Sequence, residues 1–120
     1  MPVLCTVLCC VFNATAAAAD APLKELSLTI SGGAVPAAQR VLHVDKGDRV
    51  RLSVASDAPG EIHLHGYRLQ TKVVPGSPSG LSFSARATGR YRLEWHPSGE
   101  AEKTGNHRGP PLATLEVRPK

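Results

Sequence analysis

Thr88-Gly89-Arg90-Tyr91-Arg92-Leu93-Glu94-Trp95-His96 is the stretch that decides the fold. Tyr91, Leu93 and Trp95 alternate with Arg90, Arg92 and Glu94, which is the two-residue period of a strand with one buried face. Parity then turns the three aromatic and aliphatic side chains toward a core and sends Glu94 and His96 to the other side. Glu61-Ile62-His63-Leu64-His65-Gly66-Tyr67 reads the same way: Ile62 and Leu64 face inward, Glu61, His63 and His65 outward.

The pattern recurs outward from these two segments. Leu26, Leu28 and Ile30 share a face, as do Val50, Leu52 and Val54, Leu81 and Phe83, and, near the end, Ala113, Leu115 and Val117. Turn formers separate them: Gly32-Gly33, Asp45-Lys46-Gly47-Asp48, Asp57-Ala58-Pro59-Gly60, Pro75-Gly76-Ser77-Pro78 and Thr88-Gly89. Roughly seven or eight short strands result. No stretch of helical length carries a 3.6-residue apolar stripe, a short turn near Ala34 to Gln39 excepted. An all-β domain with strands at this density closes into a two-sheet β-sandwich. Trp95 is expected to pack between the sheets. Glu100 to Pro111, charged and rich in Gly and Pro, is read as a loop, and it contains His107.

Residues 1–19 differ from the rest. An uncharged apolar run, Val3 to Phe12, is followed by small residues ending in Ala17-Ala18-Ala19, the arrangement of a signal peptide cleaved before Asp20, although no Lys or Arg precedes the run. The run is too short to span a bilayer comfortably. Cys9 and Cys10 also admit a lipoprotein reading, against which Leu8 stands where a small residue belongs. Cys5, Cys9 and Cys10 all lie in this segment, so residues 20–120, read as one domain, contain neither cysteine nor methionine and no disulfide. The expected location is periplasmic or secreted, with no transmembrane segment in the mature form.

The formal net charge is +4. Arginines are scattered from Arg40 through Arg108 to Arg118 without a basic run or interleaved aromatics, so nucleic acid is not an expected partner. Serines do not fall in a Gly-x-Ser-x-Gly elbow, residues 20–120 offer no thiol nucleophile, and nothing marks a cleft for Glu61 and Glu94 to work in as an acid–base pair. The chain is therefore read as a protein that is not an enzyme.

What chemistry there is lies in the histidines. His63, His65 and His96 all prefer the outer side, and if their strands are neighbours the imidazoles meet, with Glu61 or Glu94 as an oxygen ligand or a partner for an imidazole N–H. Three nitrogens and an open position suit copper(II) or zinc. The competing reading makes them ordinary surface histidines on a metal-free interaction or accessory module. A separation beyond about 8 Å between His96 and the His63/His65 pair would forbid a single bridging ion. His43 is read as a plain strand residue, and His107 is left open.

In order and spacing, Val44 to Val54, Glu61 to Tyr67, Leu81 to Ala85, Thr88 to His96 and Leu112 to Val117 resemble a small cupredoxin-like domain, over nearly all of residues 26–117. That resemblance implies a Greek-key β-sandwich exported to the periplasm, in a family associated with copper and electron transfer. His63-Leu64-His65-Gly66 is similar to the His-x-His-Gly signature of multicopper oxidases, whose histidines face a cluster shared between domains; here the partner surface would come from another periplasmic protein. The departures are plain. Blue-copper domains carry Cys, His and usually Met on the last loop, whereas Pro97-Ser98-Gly99 follows His96 here, and the multicopper His-Cys-His pattern is missing. Without a thiolate no blue-copper centre forms. The expected function is metal handling, or service to a redox system, by a protein holding copper(II) or a similar divalent metal.

Overall fold

A computed structural model of the chain describes residues 21–99 and 110–120. The leader read at 1–19 and His107 lie outside the described residues. Among them are eight strands: β1 (Leu23–Ile30), β2 (Val41–Asp45), β3 (Arg49–Ser56), β4 (Gly60–Leu64), β5 (Leu69–Val73), β6 (Ser79–Ser84), β7 (Gly89–Pro97) and β8 (Ala113–Arg118). The turn expected near Ala34 to Gln39 is a single 3-10 turn, Ala37–Gln39.

The strands form two sheets, a three-stranded one in the order β1-β3-β6 and a five-stranded one in the order β2-β8-β7-β4-β5. β1 runs parallel to β3 and β2 parallel to β8, and the remaining pairs are antiparallel. The chain crosses between the sheets repeatedly, at β1 to β2, β2 to β3, β3 to β4, β5 to β6 and β6 to β7. Each crossing is made at a turn-forming segment, where the backbone can reverse without leaving ladder hydrogen bonds unmade. This is the all-β sandwich that the alternation implied.

The core is built from the inward faces of both sheets. Leu28 and Ile30 of β1, Val50, Leu52 and Val54 of β3, and Leu81 of β6 meet Val44, Ile62, Leu64, Val73, Leu93, Leu115 and Val117 of the larger sheet. Burying each such aliphatic side chain is worth about 1.5–3 kcal/mol. One end of the sandwich is tied by Asp48, a buried carboxylate whose Oδ2 accepts the Asp45 N–H at 2.9 Å. Its carbonyl accepts from the Ala85 N–H, and Gly47 N–H donates to the Ala85 carbonyl, both at 2.8 Å. The Asp45-Lys46-Gly47-Asp48 turn thereby joins β2, β3 and the chain leaving β6.

Two features differ from expectation. β5, Leu69–Val73, lies outside the runs quoted above; its inward side chains include Thr71 and only Val73 is fully buried, so its apolar signal is diluted. Trp95 packs against the core from its margin and is half-buried, not enclosed between the sheets. It stands near the end of β7, opposite Ile62, and its indole lies over Gly60. A Cβ at Gly60 would fall 2.6 Å from Trp95 Cη2 and 2.7 Å from the His96 carbonyl oxygen, so only glycine leaves room for the ring.

Candidate metal centre

β7 lies between β8 and β4 in the five-stranded sheet, and the β4–β7 register sets the site. Ile62 is opposite Trp95 and Leu64 opposite Leu93 on the core side. His63 is therefore opposite Glu94, and Glu61 opposite His96, on the outer side. His65 lies just beyond the last residue of β4, in the His65-Gly66-Tyr67-Arg68 turn to β5. Its N–H still donates to the Arg92 carbonyl at 3.0 Å, which continues the ladder by one step and keeps its imidazole on the face of His63.

The rings of His63 and His65 are 4.3 Å apart between centroids, and those of His63 and His96 6.3 Å. These centroid spacings make the three rings neighbours on one face; the limit of about 8 Å concerns ring-nitrogen separations. Neighbouring strands, about 4.8 Å apart, account for this closeness. Among the described residues, however, no group of three or more His, Asp or Glu side chains is already arranged to hold a metal ion.

Glu94 has a different environment from the one its outward parity suggests. It is 8% exposed, while the side chains of His65 and His96 beside it are 41% and 38% exposed. An interior strand has neighbours on both sides, and long side chains two residues away on its own strand close over the gap. Glu94 Oε2 lies 3.0 Å from His65 Nε2, not aligned as a hydrogen bond, and 3.7 Å from His96 Nε2. Its Oε1 lies 3.4 Å from Arg92 Nε. Of the two acids weighed as partners for the imidazoles, Glu94 is the one set among them. Arg92 carried no signal beyond its shared parity with Glu94.

Burial lowers the His63 imidazole below its ordinary value, and the neighbouring imidazoles of His65 and His96 lower it further, against an opposing pull from Glu94 and Glu61. His63 is thus neutral at pH 7 and presents a lone pair, the form in which imidazole binds metals. A groove of about 650 Å³ borders the cluster on the β8 side, where Glu94, His96 and Trp95 line it with Arg40 and Thr114.

Gly66 has a structural duty apart from any ligand. It adopts φ +84°, and a Cβ there would fall 2.5 Å from Tyr91 Cδ1. Tyr91, Tyr67 and Phe83 form an aromatic cluster with centroids 4.8–4.9 Å apart at this end of the sandwich. The glycine of His63-Leu64-His65-Gly66 is therefore explained by packing, and only the histidines are left for chemistry. His43, on β2, is paired with Glu116 at 3.5 Å, and Glu116 also meets Arg90 at 3.0 Å. It belongs to a surface ion-pair network on the same sheet.

No protein-family model matches the sequence, and no curated protein does. Solved structures do. A heme-copper terminal oxidase dimer matches with a TM-score of 0.64 at 17% identity, over 83% of this chain and 66% of that one. The blue copper oxidase from Nitrosomonas europaea matches with a TM-score of 0.57 at 22% identity, over 82% of this chain and 39% of that one. A copper-binding protein solved in its apo form matches with a TM-score of 0.57 at 11% identity, over 80% and 88%. The chain spans about two fifths of the blue copper oxidase and about two thirds of the terminal oxidase chain. The fold is cupredoxin-like, a β-sandwich with copper proteins as its structural neighbours. No helix among the described residues is long and apolar enough to cross a membrane.

Proposed function

We propose that this chain is an exported, cupredoxin-like copper(II)-binding protein, using His63, His65 and His96 in metal handling or as an accessory to a redox system, and that it is not itself an enzyme. One observation carries the reading: three imidazoles on the outer face of β4 and β7 gather beside a carboxylate that is buried on that face. The donor chemistry fits. Imidazole nitrogen with carboxylate oxygen suits copper(II), and zinc as its competitor, while residues 20–120 offer none of the sulfur that copper(I) or a blue-copper centre requires. Copper held there would supply a transferable ion or a one-electron couple. The chain's own part is to present imidazoles from a rigid sheet, that of His63 in its neutral form, with Glu94 beside them.

The alternative is a metal-free accessory module that docks through this face, and the absence of a ready-made three-donor group among the described residues favours it. Copper(II) titration by calorimetry, followed by electron paramagnetic resonance, separates the two. The expected result is one equivalent of type 2-like copper with nitrogen hyperfine structure, lost in His65→Ala and His96→Ala. Binding only in the millimolar range, unchanged by either substitution, selects the metal-free module.

A further inference from the structure

We propose that the groove bordered by the β1–β2 connection, β7 and the start of β8 binds a small organic acid, with Arg40 taking the carboxylate and Trp95 and Leu112 taking an apolar body. This site is independent of the metal reading and relies on none of its histidines.

The groove has walls that are fixed before any ligand arrives. Its volume, about 650 Å³, lies within the roughly 300–1,000 Å³ of small-molecule pockets. On the β1–β2 connection, Ser31 and Ala34 exchange backbone hydrogen bonds at 2.8 and 3.1 Å, and Gln39 Oε1 accepts the Thr29 N–H at 2.8 Å. The Arg40 carbonyl accepts the Thr114 N–H at 2.8 Å, which ties that connection to β8. Leu112 N–H donates to the Leu93 carbonyl at 2.9 Å, so the Pro110-Pro111-Leu112 wall is carried on β7. Trp95, lying over Gly60, completes the lining. Walls held in this way spare a ligand the cost of ordering them.

The lining divides into an apolar part and one uncommitted charge. Val35 is buried, and Trp95 and Leu112 pack against the core, so with the two prolines they offer a hydrocarbon or aromatic body a place to shed water. Arg92, Glu94 and His96 line the groove too, but each is already engaged: Arg92 meets Glu94 at 3.4 Å, His96 lies 3.7 Å from Glu94, and all three have further partners. Arg40 differs. It is exposed, and among the described residues no carboxylate lies within 4 Å of its guanidinium. A guanidinium fork holds a carboxylate through two parallel N–H···O bonds. One cation matches one negative charge, and Glu94 on the same lining repels a second, which selects a monocarboxylate over a doubly charged phosphate.

Phenylacetate is the probe, with phenylacetamide as its uncharged counterpart and inorganic phosphate as an anion without an apolar body. Trp95 is the one tryptophan of the chain, so its indole N–H gives a single signal in a nitrogen-15 correlation spectrum of the full, metal-free protein. Phenylacetate should move that signal and the Thr114 amide saturably, with phenylacetamide and phosphate each at least about tenfold weaker. Arg40→Gln should weaken phenylacetate about 10–100-fold, the range expected for a lost hydrogen-bonded charge, and Arg40→Lys should recover part of it. Unmoved signals from the three-stranded sheet verify that these variants fold. Equal binding of phenylacetate and phenylacetamide overturns the role of the charge, and equal binding of phosphate overturns the role of the apolar walls. Unchanged affinity in Arg40→Gln, or no saturation by phenylacetate below about 10 mM, overturns the site itself. Copper(II) affinity enters none of these outcomes, so this proposal and the metal reading stand or fall separately.

Discussion

The two sheets obey the same alternation on their inner faces and differ on their outer ones. On the three-stranded sheet, Arg51 meets Glu25 at 3.5 Å with both side chains more than half exposed, and the neighbouring positions are Ser27, Ser53 and Ser82. On the five-stranded sheet the outer face carries His43, His63, His65 and His96, with Glu94 sunk among the last two and Arg92. One face is a solvated surface. The other places titratable groups in positions that cost solvation energy and that are stable only when charges are matched. A period-two pattern cannot distinguish the two, because it records only which side is apolar.

The largest effects test whether the inner faces are equivalent. Leu52→Ala in the smaller sheet and Leu93→Ala in the larger should each cost about 2–5 kcal/mol in denaturant unfolding, since both side chains are essentially inaccessible. A cost confined to one of them breaks the symmetry. Gly60→Ala should cost about 1–3 kcal/mol by forcing the Trp95 ring outward, visible as a red shift in tryptophan fluorescence. An unshifted spectrum would show that the indole does not lie over Gly60.

Smaller effects bear on the outer faces. His63 has its pKa lowered below 6.5 on folding, so as pH falls through that range the unfolded chain takes up the proton first. Its contribution to stability is complete above pH 6.5 and is lost as pH drops toward the lower folded value. Thermal melts from pH 7.5 to 5 should therefore show a decline that His63→Gln flattens; the same decline in the variant would place its origin elsewhere. Arg51→Ala, at the exposed pair of the other sheet, should stay within about 0.5 kcal/mol of wild type at any of these pH values. A larger loss would mean that the smaller sheet's outer face is more than a solvated surface.

How far each element was legible depended on how much apolar side chain it carries inward. β1, β3, β7 and β8 announce themselves through apolar side chains at every second position, aliphatic in β1, β3 and β8 and Tyr91, Leu93 and Trp95 in β7, whereas β5 has Thr71 between Leu69 and Val73 and is placed chiefly by pairing with β4. Trp95 was assigned to the correct side of its strand, but its depth follows from its position near the end of β7 and from the space left by Gly60, neither of which alternation reports. For the site, parity alone put His63, His65, His96 and Glu94 on one face.

The sequence by itself determined that strands dominate, which side of each is apolar, and that residues 20–120 hold no sulfur ligand. Those are local properties, written in period and composition. Tertiary structure alone decided that β4 and β7 are neighbours in the register that sets His63 against Glu94, that His65 stays on the face although it has left the strand, and that Glu94 is covered while the histidines beside it remain half-exposed. These follow from pairing between segments some thirty residues apart. Such pairing is selected by the closure of the whole core, not by the residues that come to face each other.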